Sequence, residues 1–316
     1  MRRALIIGCN GFAGTALRLE LASSGEYDVY GVDIASFDQR TRAVDMLDPE
    51  AAAAAIRDCK PDVIFNLAGQ ASPWVSWEKV NLTMHLNVDL SVNIVEAVRV
   101  HCPGARMIFV GSANQYDLDS VEGELIGEDT PLVSNSPYAI SKNTQETMIR
   151  LMARKYSLDV VFTRSFNHIG PGQKVGFVIT DYCNRIVKLE NGEIDTFNYG
   201  NLDSWRDFSD VRDVVHAYRL IGESGRSGEI YNVGSGESYY IRDLIGKIVE
   251  MSPAASAATE LPPRLDDDKL THYRGDISKL QADTGFMPIY DVNETVASVL
   301  QAYRQGYDFP FKTDEA

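Results

Sequence analysis

The sequence contains few cysteines, and none are paired at the spacing that metal sites or disulfide frameworks use. The four are Cys9, Cys59, Cys102 and Cys183, and no two of them form a Cys-x-x-Cys pair. Scattered cysteines of this kind are typical of reduced thiols, so we expect a cytoplasmic protein. The five histidines also lack ligand spacing, and no metal site is predicted.

Long apolar runs and an excess of positive charge are missing as well. No stretch of the 316 residues is long and apolar enough to span a bilayer. The first apolar stretch runs straight into glycines instead of a signal-peptide cleavage site. The formal net charge is -15, which disfavours nonspecific binding to nucleic acid or to anionic membranes. We therefore expect neither partner, and an anionic substrate would need a local basic pocket.

The first half of the chain alternates predicted strands with predicted helices. Strands are expected at residues 4–7, 27–33, 63–67, 107–110 and 159–163. Helices are expected at residues 12–24, 50–59, 78–100 and 137–156. Two of these helices follow an N-cap residue with a proline behind it, at Asp48-Pro49 and Ser136-Pro137. This alternation predicts an α/β fold with a doubly wound parallel sheet.

Three glycines stand between the first predicted strand and the first predicted helix. Gly8, Gly11 and Gly14 form a Gly-x-x-Gly-x-x-Gly pattern, which permits a tight turn and a close approach of the backbone to a pyrophosphate. Asp33 ends the second predicted strand, where a carboxylate binds the adenosine ribose hydroxyls. Since a carboxylate repels a 2′-phosphate, NAD(H) is favoured, with NADP(H) as the alternative.

The pattern becomes irregular after residue 166, where glycines and prolines mix with short strands. Helices are expected at residues 176–190 and 211–221, and loops near residues 254–258 and 262–263. We predict an NAD(P)-binding domain of Rossmann type at residues 1–165. Residues 166–316 are predicted to form a smaller substrate-binding lobe over the carboxyl ends of the strands, with some chain crossing back to the sheet.

Ser112, Tyr138 and Lys142 supply what hydride transfer at a carbonyl requires. Tyr138 and Lys142 are four residues apart on a predicted helix and so share one face. A free phenol has a pKa of about 10, and a nearby ammonium makes it a more usable acid or base. Ser112 follows a predicted strand, where its hydroxyl can hold the carbonyl oxygen that reacts.

With these residues the chain resembles the extended short-chain dehydrogenase/reductase family over nearly its whole length. Beyond the glycines, the resemblance lies in Asp45-Met46, Asn66-Leu67-Ala68-Gly69-Gln70, Asn87, Ser112-Ala113-Asn114-Gln115-Tyr116 and Tyr138-Ala139-Ile140-Ser141-Lys142. It implies Ser112, Tyr138 and Lys142 as catalytic residues. The cofactor-binding residues that it implies are Gly8, Asn10, Gly11, Phe12, Gly14, Asp33, Asp45, Met46, Leu67, Ala68, Gly69, Asn87, Tyr138 and Lys142. Family members mostly modify nucleotide-diphosphate sugars and often dimerise through a four-helix bundle.

Two strings in the second half, at residues 164–173 and 200–208, are similar to the GDP-4-keto-6-deoxy-D-mannose reductase and GDP-mannose 4,6-dehydratase branch. This similarity implies nucleotide-diphosphate contacts from Asn167, Lys188 and Arg206. The reductases usually carry Arg-Leu-Arg-Pro near the C-terminus, where this chain has Arg264-Leu-Asp-Asp-Asp. Either Arg264 takes over the phosphate contact there, or the loop is shifted, or the substrate differs from the usual GDP-sugar. Asn114, also a candidate substrate contact, stands where the dehydratases have a catalytic Glu.

The sequence therefore predicts an NAD(P)H-dependent reductase or dehydrogenase of a nucleotide-diphosphate 4-keto-6-deoxy sugar, with Tyr138 as acid/base. The first alternative is a nucleotide-sugar 4-epimerase that retains NAD, since it uses the same three residues. A 4,6-dehydratase is disfavoured because Asn114 cannot take a proton. A cofactor sensor without turnover is disfavoured because Tyr138 and Lys142 are both present.

Overall fold

The computed structural model describes residues 1–36, 38–118, 125–255, 261–262 and 272–306. Within them the strands are β1 (Arg2–Ile7), β2 (Tyr27–Asp33), β3 (Thr41–Ala43), β4 (Val63–Asn66), β5 (Arg106–Ser112), β6 (Leu125–Ile126), β7 (Val160–Ser165), β8 (Asn167–Ile169), β9 (Trp205–Arg206), β10 (Phe208–Asp210), β11 (Ile230–Val233), β12 (Tyr239–Tyr240) and β13 (Arg274–Gly275). The α-helices are α1 (Phe12–Ser23), α2 (Pro49–Cys59), α3 (Pro73–Glu78), α4 (Val80–Met84), α5 (Leu90–His101), α6 (Pro137–Tyr156), α7 (Val178–Glu190), α8 (Val211–Ser224), α9 (Ile241–Glu250), α10 (Ser278–Thr284) and α11 (Val292–Arg304).

Seven strands form one parallel sheet in the order β11-β7-β5-β4-β1-β2-β3. The order reverses between β1 and β4, which creates a crevice at the carboxyl ends of these two strands. The predicted α/β fold with a doubly wound Rossmann-type sheet is confirmed.

Helices cover both faces of the sheet because alternate strand residues point into different cores. Ala4 and Ile6 belong to the core beneath α1 and α8, while Leu5 and Ile7 belong to the core beneath α2, α5 and α6. A strand buried on both faces is apolar at every position, as residues 4–7 are.

The chain beyond residue 166 divides between the sheet and a separate core. β11 pairs with β7 and so completes the sheet, and α8 packs against α1 on one face. Helices α7, α9 and α11 instead enclose their own apolar cluster, which includes Ile186, Ile245 and Val299. The boundary at residue 165 and the substrate-binding role of the second part stay predictions.

The single helix predicted at residues 78–100 is present as one helical run from Val80 to His101, made of α4, a π-helical turn (His85–Asp89) and α5. It begins two residues later than predicted, and the separate helix α3 precedes it. Ser72 caps α3 through its side chain, with Pro73 in the first turn, a start signal that our prediction did not use. Helix α3 ends and α4 begins at Lys79, whose backbone leaves helical geometry at φ -130°.

In the described part of the chain, no helix combines the length and apolar character needed to cross a membrane.

Candidate active site

A cavity of about 660 Å³ lies at the carboxyl ends of β1, β4, β5 and β7. Thirteen of the predicted site residues line it: Gly8, Asn10, Gly11, Phe12, Gly14, Leu67, Gly69, Ser112, Asn114, Tyr138, Lys142, Asn167 and Arg206. The glycine turn, the three candidate catalytic residues and the predicted phosphate contacts thus meet in one space.

The turn between β1 and α1 is built so that no side chain fills it. Gly8 has a φ of +83°, and a Cβ there would lie 2.7 Å from the backbone nitrogen of Ala68. A Cβ on Gly14 would lie 2.1 Å from the carbonyl oxygen of Gly8. No side chain caps the N-terminus of α1, so its first N–H groups are available to an anion. These features fit the pyrophosphate of a dinucleotide.

Asp33 closes the turn from the end of β2. Its carboxylate accepts hydrogen bonds from the backbone nitrogen of Asn10 at 2.9 Å and from that of Ile34 at 2.8 Å. The Asn10 side chain donates to the carbonyl of Ala35 at 2.8 Å. The carboxylate is thereby fixed beside the glycine turn, where the adenosine ribose of a dinucleotide on this turn would lie.

Asn87 lies behind the cavity wall rather than in it. It is fully buried in the π-helical turn, and its Oδ1 atom accepts a hydrogen bond from the backbone nitrogen of Gln70 at 2.9 Å. Its Nδ2 atom donates to Ser141 Oγ on α6 at 2.8 Å. A Cβ on Gly69 would lie 2.4 Å from Asn87 Oδ1. Asn87 therefore supports the segment that lines the cavity after β4.

Ser112 is the last residue of β5 and faces the cavity. Its Oγ atom accepts hydrogen bonds from the backbone nitrogen of Asn114 at 3.2 Å and from Asn114 Nδ2 at 3.4 Å. Because these groups only donate, the Ser112 hydroxyl keeps its own proton for another acceptor. The backbone nitrogen of Ser112 donates to Gln115 Oε1 at 2.9 Å.

Tyr138 and Lys142 are buried on the face of α6 that meets the end of β5. Burial raises the pKa of the Tyr138 phenol, and a hydrogen bond with Ser112 acts in the opposite direction. Burial lowers the pKa of Lys142 to about 8. The Lys142 ammonium donates to the carbonyl oxygen of Val110 at 2.8 Å. The arrangement holds a phenol, a hydroxyl and an amine at one wall of the cavity.

A further part of the cavity wall, which we call the basic end, is the part around Arg206. Arg206 stacks over Tyr273, with its guanidinium carbon 4.6 Å from the ring centroid. Lys174, which was not among the predicted site residues, also lines this cavity. Among the described lining residues there are three cations, Lys142, Lys174 and Arg206, and no carboxylate. This is the local basic pocket that an anionic substrate needs in a protein of net charge -15.

Asn167 begins β8, which pairs with β10 beside Arg206. Its Nδ2 atom donates to the carbonyl oxygen of Asp207 at 3.3 Å, and the side chain remains exposed toward the cavity. Asp207 is fully buried and accepts hydrogen bonds from Ser235, Gly236 and Gly275. These bonds join three separate segments beneath the basic end of the cavity.

Several predicted residues lie away from this space. Asp45 is exposed beyond β3, and Met46 is buried in the core under the sheet. Ala68 supports Gly8 from behind. Lys188 is exposed on α7, whose buried face carries Ile179, Cys183 and Ile186 among others, so its helix position turns it toward solvent. This position does not support the predicted phosphate contact of Lys188. Arg264 lies outside the described residues.

His168, in the string at residues 164–173, also lines the cavity but was not among the predicted site residues. The His168 ring lies parallel to that of Phe12, with centroids 6.0 Å apart, and so joins β8 to the glycine turn. Burial lowers the pKa of His168, which favours the neutral imidazole. The Gly-Pro-Gly that follows His168 was the available signal. Within the described residues, no group of three or more His, Cys, Asp or Glu side chains could hold a metal ion.

Comparison with known proteins assigns this geometry to a family. The model of the NAD dependent epimerase/dehydratase family matches residues 4–234, which include the glycine turn and all three candidate catalytic residues. The chain belongs to this family. The resemblance to the extended short-chain dehydrogenases/reductases is confirmed, and the protein is an NAD(P)-dependent enzyme.

Relatives within this family carry different activities. The chain is 26% identical over 301 residues to GDP-6-deoxy-D-mannose reductase from Pseudomonas aeruginosa, which covers 95% of this chain and 96% of the relative. The structure of RMD from Pseudomonas aeruginosa complexed with NADPH is similar at a TM-score of 0.83, with 25% identity, 97% of this chain and 100% of that chain covered. UDP-glucose 4-epimerase from Thermus thermophilus in complex with NAD gives a TM-score of 0.80, 28% identity, and 96% and 100% coverage.

Proposed function

We propose that this protein is an NAD(P)H-dependent reductase of a nucleotide-diphosphate 4-keto-6-deoxy sugar. One observation carries the proposal: Ser112, Tyr138 and Lys142 line the same cavity as the glycine turn and the basic end near Arg206. A cofactor on the turn and a diphosphate on the cations would thus bring hydride donor and sugar to the three polar side chains. The relative with GDP-6-deoxy-D-mannose reductase activity supports this substrate class.

Each of the three residues has a distinct role in the proposed reaction. The bound cofactor supplies the hydride to the sugar carbonyl carbon. Tyr138 donates its phenolic proton to the carbonyl oxygen, and Ser112, which keeps its hydroxyl proton, orients that oxygen. Lys142 holds the nicotinamide ribose, and its ammonium stabilises the Tyr138 phenolate that remains after proton transfer.

The basic end of the cavity is proposed to bind the nucleotide diphosphate. Arg206 offers a planar guanidinium whose pairs of N–H groups match phosphate oxygens, and Lys174 adds a mobile charge. Asn167 lines the same cavity and adds an amide contact. We propose NAD(H) over NADP(H) because the Asp33 carboxylate, fixed by Asn10 and Ile34, would repel a 2′-phosphate.

The first alternative is a nucleotide-sugar 4-epimerase, which the similarity to an epimerase in complex with NAD favours. Such an enzyme would use the same residues and return the hydride to the other face of the sugar. Asn114 argues against a 4,6-dehydratase, since an amide cannot act as the base. A sensor without turnover is disfavoured because the buried Tyr138 and Lys142 are both retained.

Cofactor content distinguishes reductase from epimerase. The purified protein is denatured and the released NAD⁺ and NADH are quantified by chromatography. If the protein is the reductase, we expect the site to bind added NADH reversibly. In a panel of nucleotide 4-keto sugars, GDP-4-keto-6-deoxy-D-mannose should then oxidise NADH. Near-stoichiometric tightly bound NAD⁺, with no net oxidation of NADH by any 4-keto sugar, would instead support the epimerase.

We also propose a homodimer through a four-helix bundle in a reducing cytoplasm. Helices α3, α4 and α6 pack together and carry exposed apolar side chains, among them Trp77, Leu82 and Leu151. The four thiols are free. Light scattering should give a molecular mass of two chains, and Leu151→Glu should reduce it to the mass of one chain. Ile289→Glu, an exposed apolar position in the second part of the chain, should leave the mass unchanged.

A further inference from the structure

Three polar side chains form a buried chain behind the catalytic wall. Gln115, Glu146 and Arg164 are 1%, 6% and 3% exposed, and the proposed reaction uses none of them. Polar groups this deeply buried are costly unless their hydrogen bonds are complete. The bonds of these three residues lead directly to Ser112.

The amide of Gln115 joins Ser112 to Glu146. Its Oε1 atom accepts the backbone N–H of Ser112 at 2.9 Å, and its Nε2 atom donates to Glu146 Oε2 at 3.1 Å. The peptide N–H can only donate and the carboxylate can only accept, so one orientation of the amide satisfies both. A Cβ on Gly111 would lie 2.4 Å from Gln115 Oε1, which shows how closely this side chain lies against β5.

Arg164 fixes the far end of the chain. Its Nε and Nη2 atoms donate to the two oxygens of Glu146 at 3.0 and 2.8 Å, a bidentate pair. Its Nη1 atom donates to the carbonyl oxygen of Glu128 at 3.0 Å, and its guanidinium carbon lies 4.8 Å from the Tyr116 ring centroid. All three guanidinium nitrogens of Arg164 and both carboxylate oxygens of Glu146 are therefore hydrogen-bonded.

Glu146 also belongs to the helix that carries the proposed acid. Tyr138, Lys142 and Glu146 are spaced by four residues on α6 and lie on the same side of it. The chain from Arg164 to Ser112 thus connects α6 to the end of β5. These are the two elements whose separation sets the distance between the hydroxyls of Ser112 and Tyr138.

We propose that Gln115, oriented by the Glu146–Arg164 pair, is a positioning residue that sets Ser112 against Tyr138 for proton transfer. The inference rests on the proposed function, because it assigns Gln115 an effect only through Ser112. An error in placement matters here, since a shift of about 1 Å can cost on the order of 100-fold in rate.

The test is a double-mutant cycle between Gln115→Met and Ser112→Ala in the full-length protein, assayed with NADH and GDP-4-keto-6-deoxy-D-mannose. Met is close to Gln in length but cannot make either hydrogen bond. We expect Gln115→Met to lower kcat by about tenfold with little change in either KM. In the Ser112→Ala background the same change should have almost no further effect, because the hydroxyl that it positions is gone.

Tyr116→Phe is the matched control. It removes the 2.6 Å bond to Asn232 Oδ1 and the hydrogen bond of the Tyr116 hydroxyl with Arg164, but it keeps the ring under Arg164 and leaves both Arg164–Glu146 bonds in place. It should lower thermal stability but leave kcat unchanged. The inference would be overturned if Gln115→Met lowered kcat no more than Tyr116→Phe does. It would also be overturned if the fold-losses in kcat of Gln115→Met and Ser112→Ala multiplied fully in the double variant.

Glu146→Asp provides a second route if Gln115→Met does not fold. The shorter carboxylate keeps the charge opposite Arg164 but lies farther from Gln115. We therefore expect kcat to fall while KM stays unchanged. In the Ser112→Ala background, Glu146→Asp should cause almost no further loss of kcat. If Ser112→Ala loses turnover while Gln115→Met or Glu146→Asp keeps the wild-type kcat, only the positioning role is refuted. Full turnover in Ser112→Ala refutes the proposed function, and this inference with it.

Discussion

The ammonium of Lys142 donates a 2.8 Å hydrogen bond to the carbonyl oxygen of Val110. The bond joins α6 to the C-terminal end of β5 and holds the amine at the cavity wall. A second contact, to Gln145 Oε1 at 3.4 Å, is long. Lys142 is 7% exposed, so its positive charge is poorly solvated before cofactor binds.

The proposed role of Lys142 predicts a loss of activity at alkaline pH. Its folded pKa of about 8 lies below its ordinary value of 10.5 because burial disfavours the charged form. The ammonium is present below pH 8 and is lost as the pH rises through that value. We expect kcat/KM for NADH in sugar reduction to fall above pH 8, because this ratio reports groups of the free enzyme. Lys142→Met should have low activity throughout and lack this transition, and a transition that persists in the variant would contradict the assignment.

Replacing Tyr138 by Phe tests the proposed acid directly. The change removes the proton donor and leaves the ring, so turnover should fall about 10²- to 10⁴-fold. The affinity for NADH, measured by fluorescence titration, should change little. Tyr218→Phe is the matched control, since Tyr218 lines the same cavity and its hydroxyl pairs with Ser165 at 2.7 Å. Comparable losses in both variants would show that the hydroxyl of Tyr138 has no special role.

The glycine turn should not tolerate a methyl group. In Gly14→Ala the new Cβ would lie 2.1 Å from the carbonyl oxygen of Gly8, and relief requires a backbone shift. We expect a stability loss of about 1–3 kcal/mol or more and the loss of detectable cofactor binding by calorimetry. Gly104→Ala, where a Cβ would meet nothing within 4 Å, is the control. Wild-type NADH affinity in Gly14→Ala would rule out a pyrophosphate at this turn.

Asp33 is expected to determine cofactor preference. Asp33→Asn removes the negative charge beside Asn10, so repulsion of a 2′-phosphate should weaken. The ratio of kcat/KM for NADH to that for NADPH should fall by roughly tenfold, about 1.4 kcal/mol. Steady-state kinetics with both cofactors measure this ratio. If it is unchanged, the carboxylate does not face the ribose.

The sequence predicted the elements whose signals are local. α2 and α6 begin where Asp48 and Ser136 cap them, because the side chains bond to backbone N–H groups of the first turn. The glycine turn was predicted for the same reason, since its spacing is contained in seven residues. Ser112, Tyr138 and Lys142 come from separate elements, but parallel topology brings strand ends to one edge, and they line one cavity.

Features set by distant partners were not predictable in this way. The break after α3 and the π-helical turn accompany the bonds from Asn87 to Gln70 and Ser141, 17 and 54 residues away. Lys174 lines the cavity from the segment between β8 and α7, and no local pattern marks this position. Lys188 shows the converse, since a basic residue near a helix end is as compatible with solvent as with phosphate.

The position of β11 in the sheet affects how the protein folds during its synthesis. β7 ends at Ser165, but its outer neighbour begins only at Ile230. Until the ribosome has delivered that later segment, β7 presents an open row of backbone donors and acceptors to other nascent chains. A message truncated in between would therefore yield an aggregation-prone product in place of a free-standing cofactor domain.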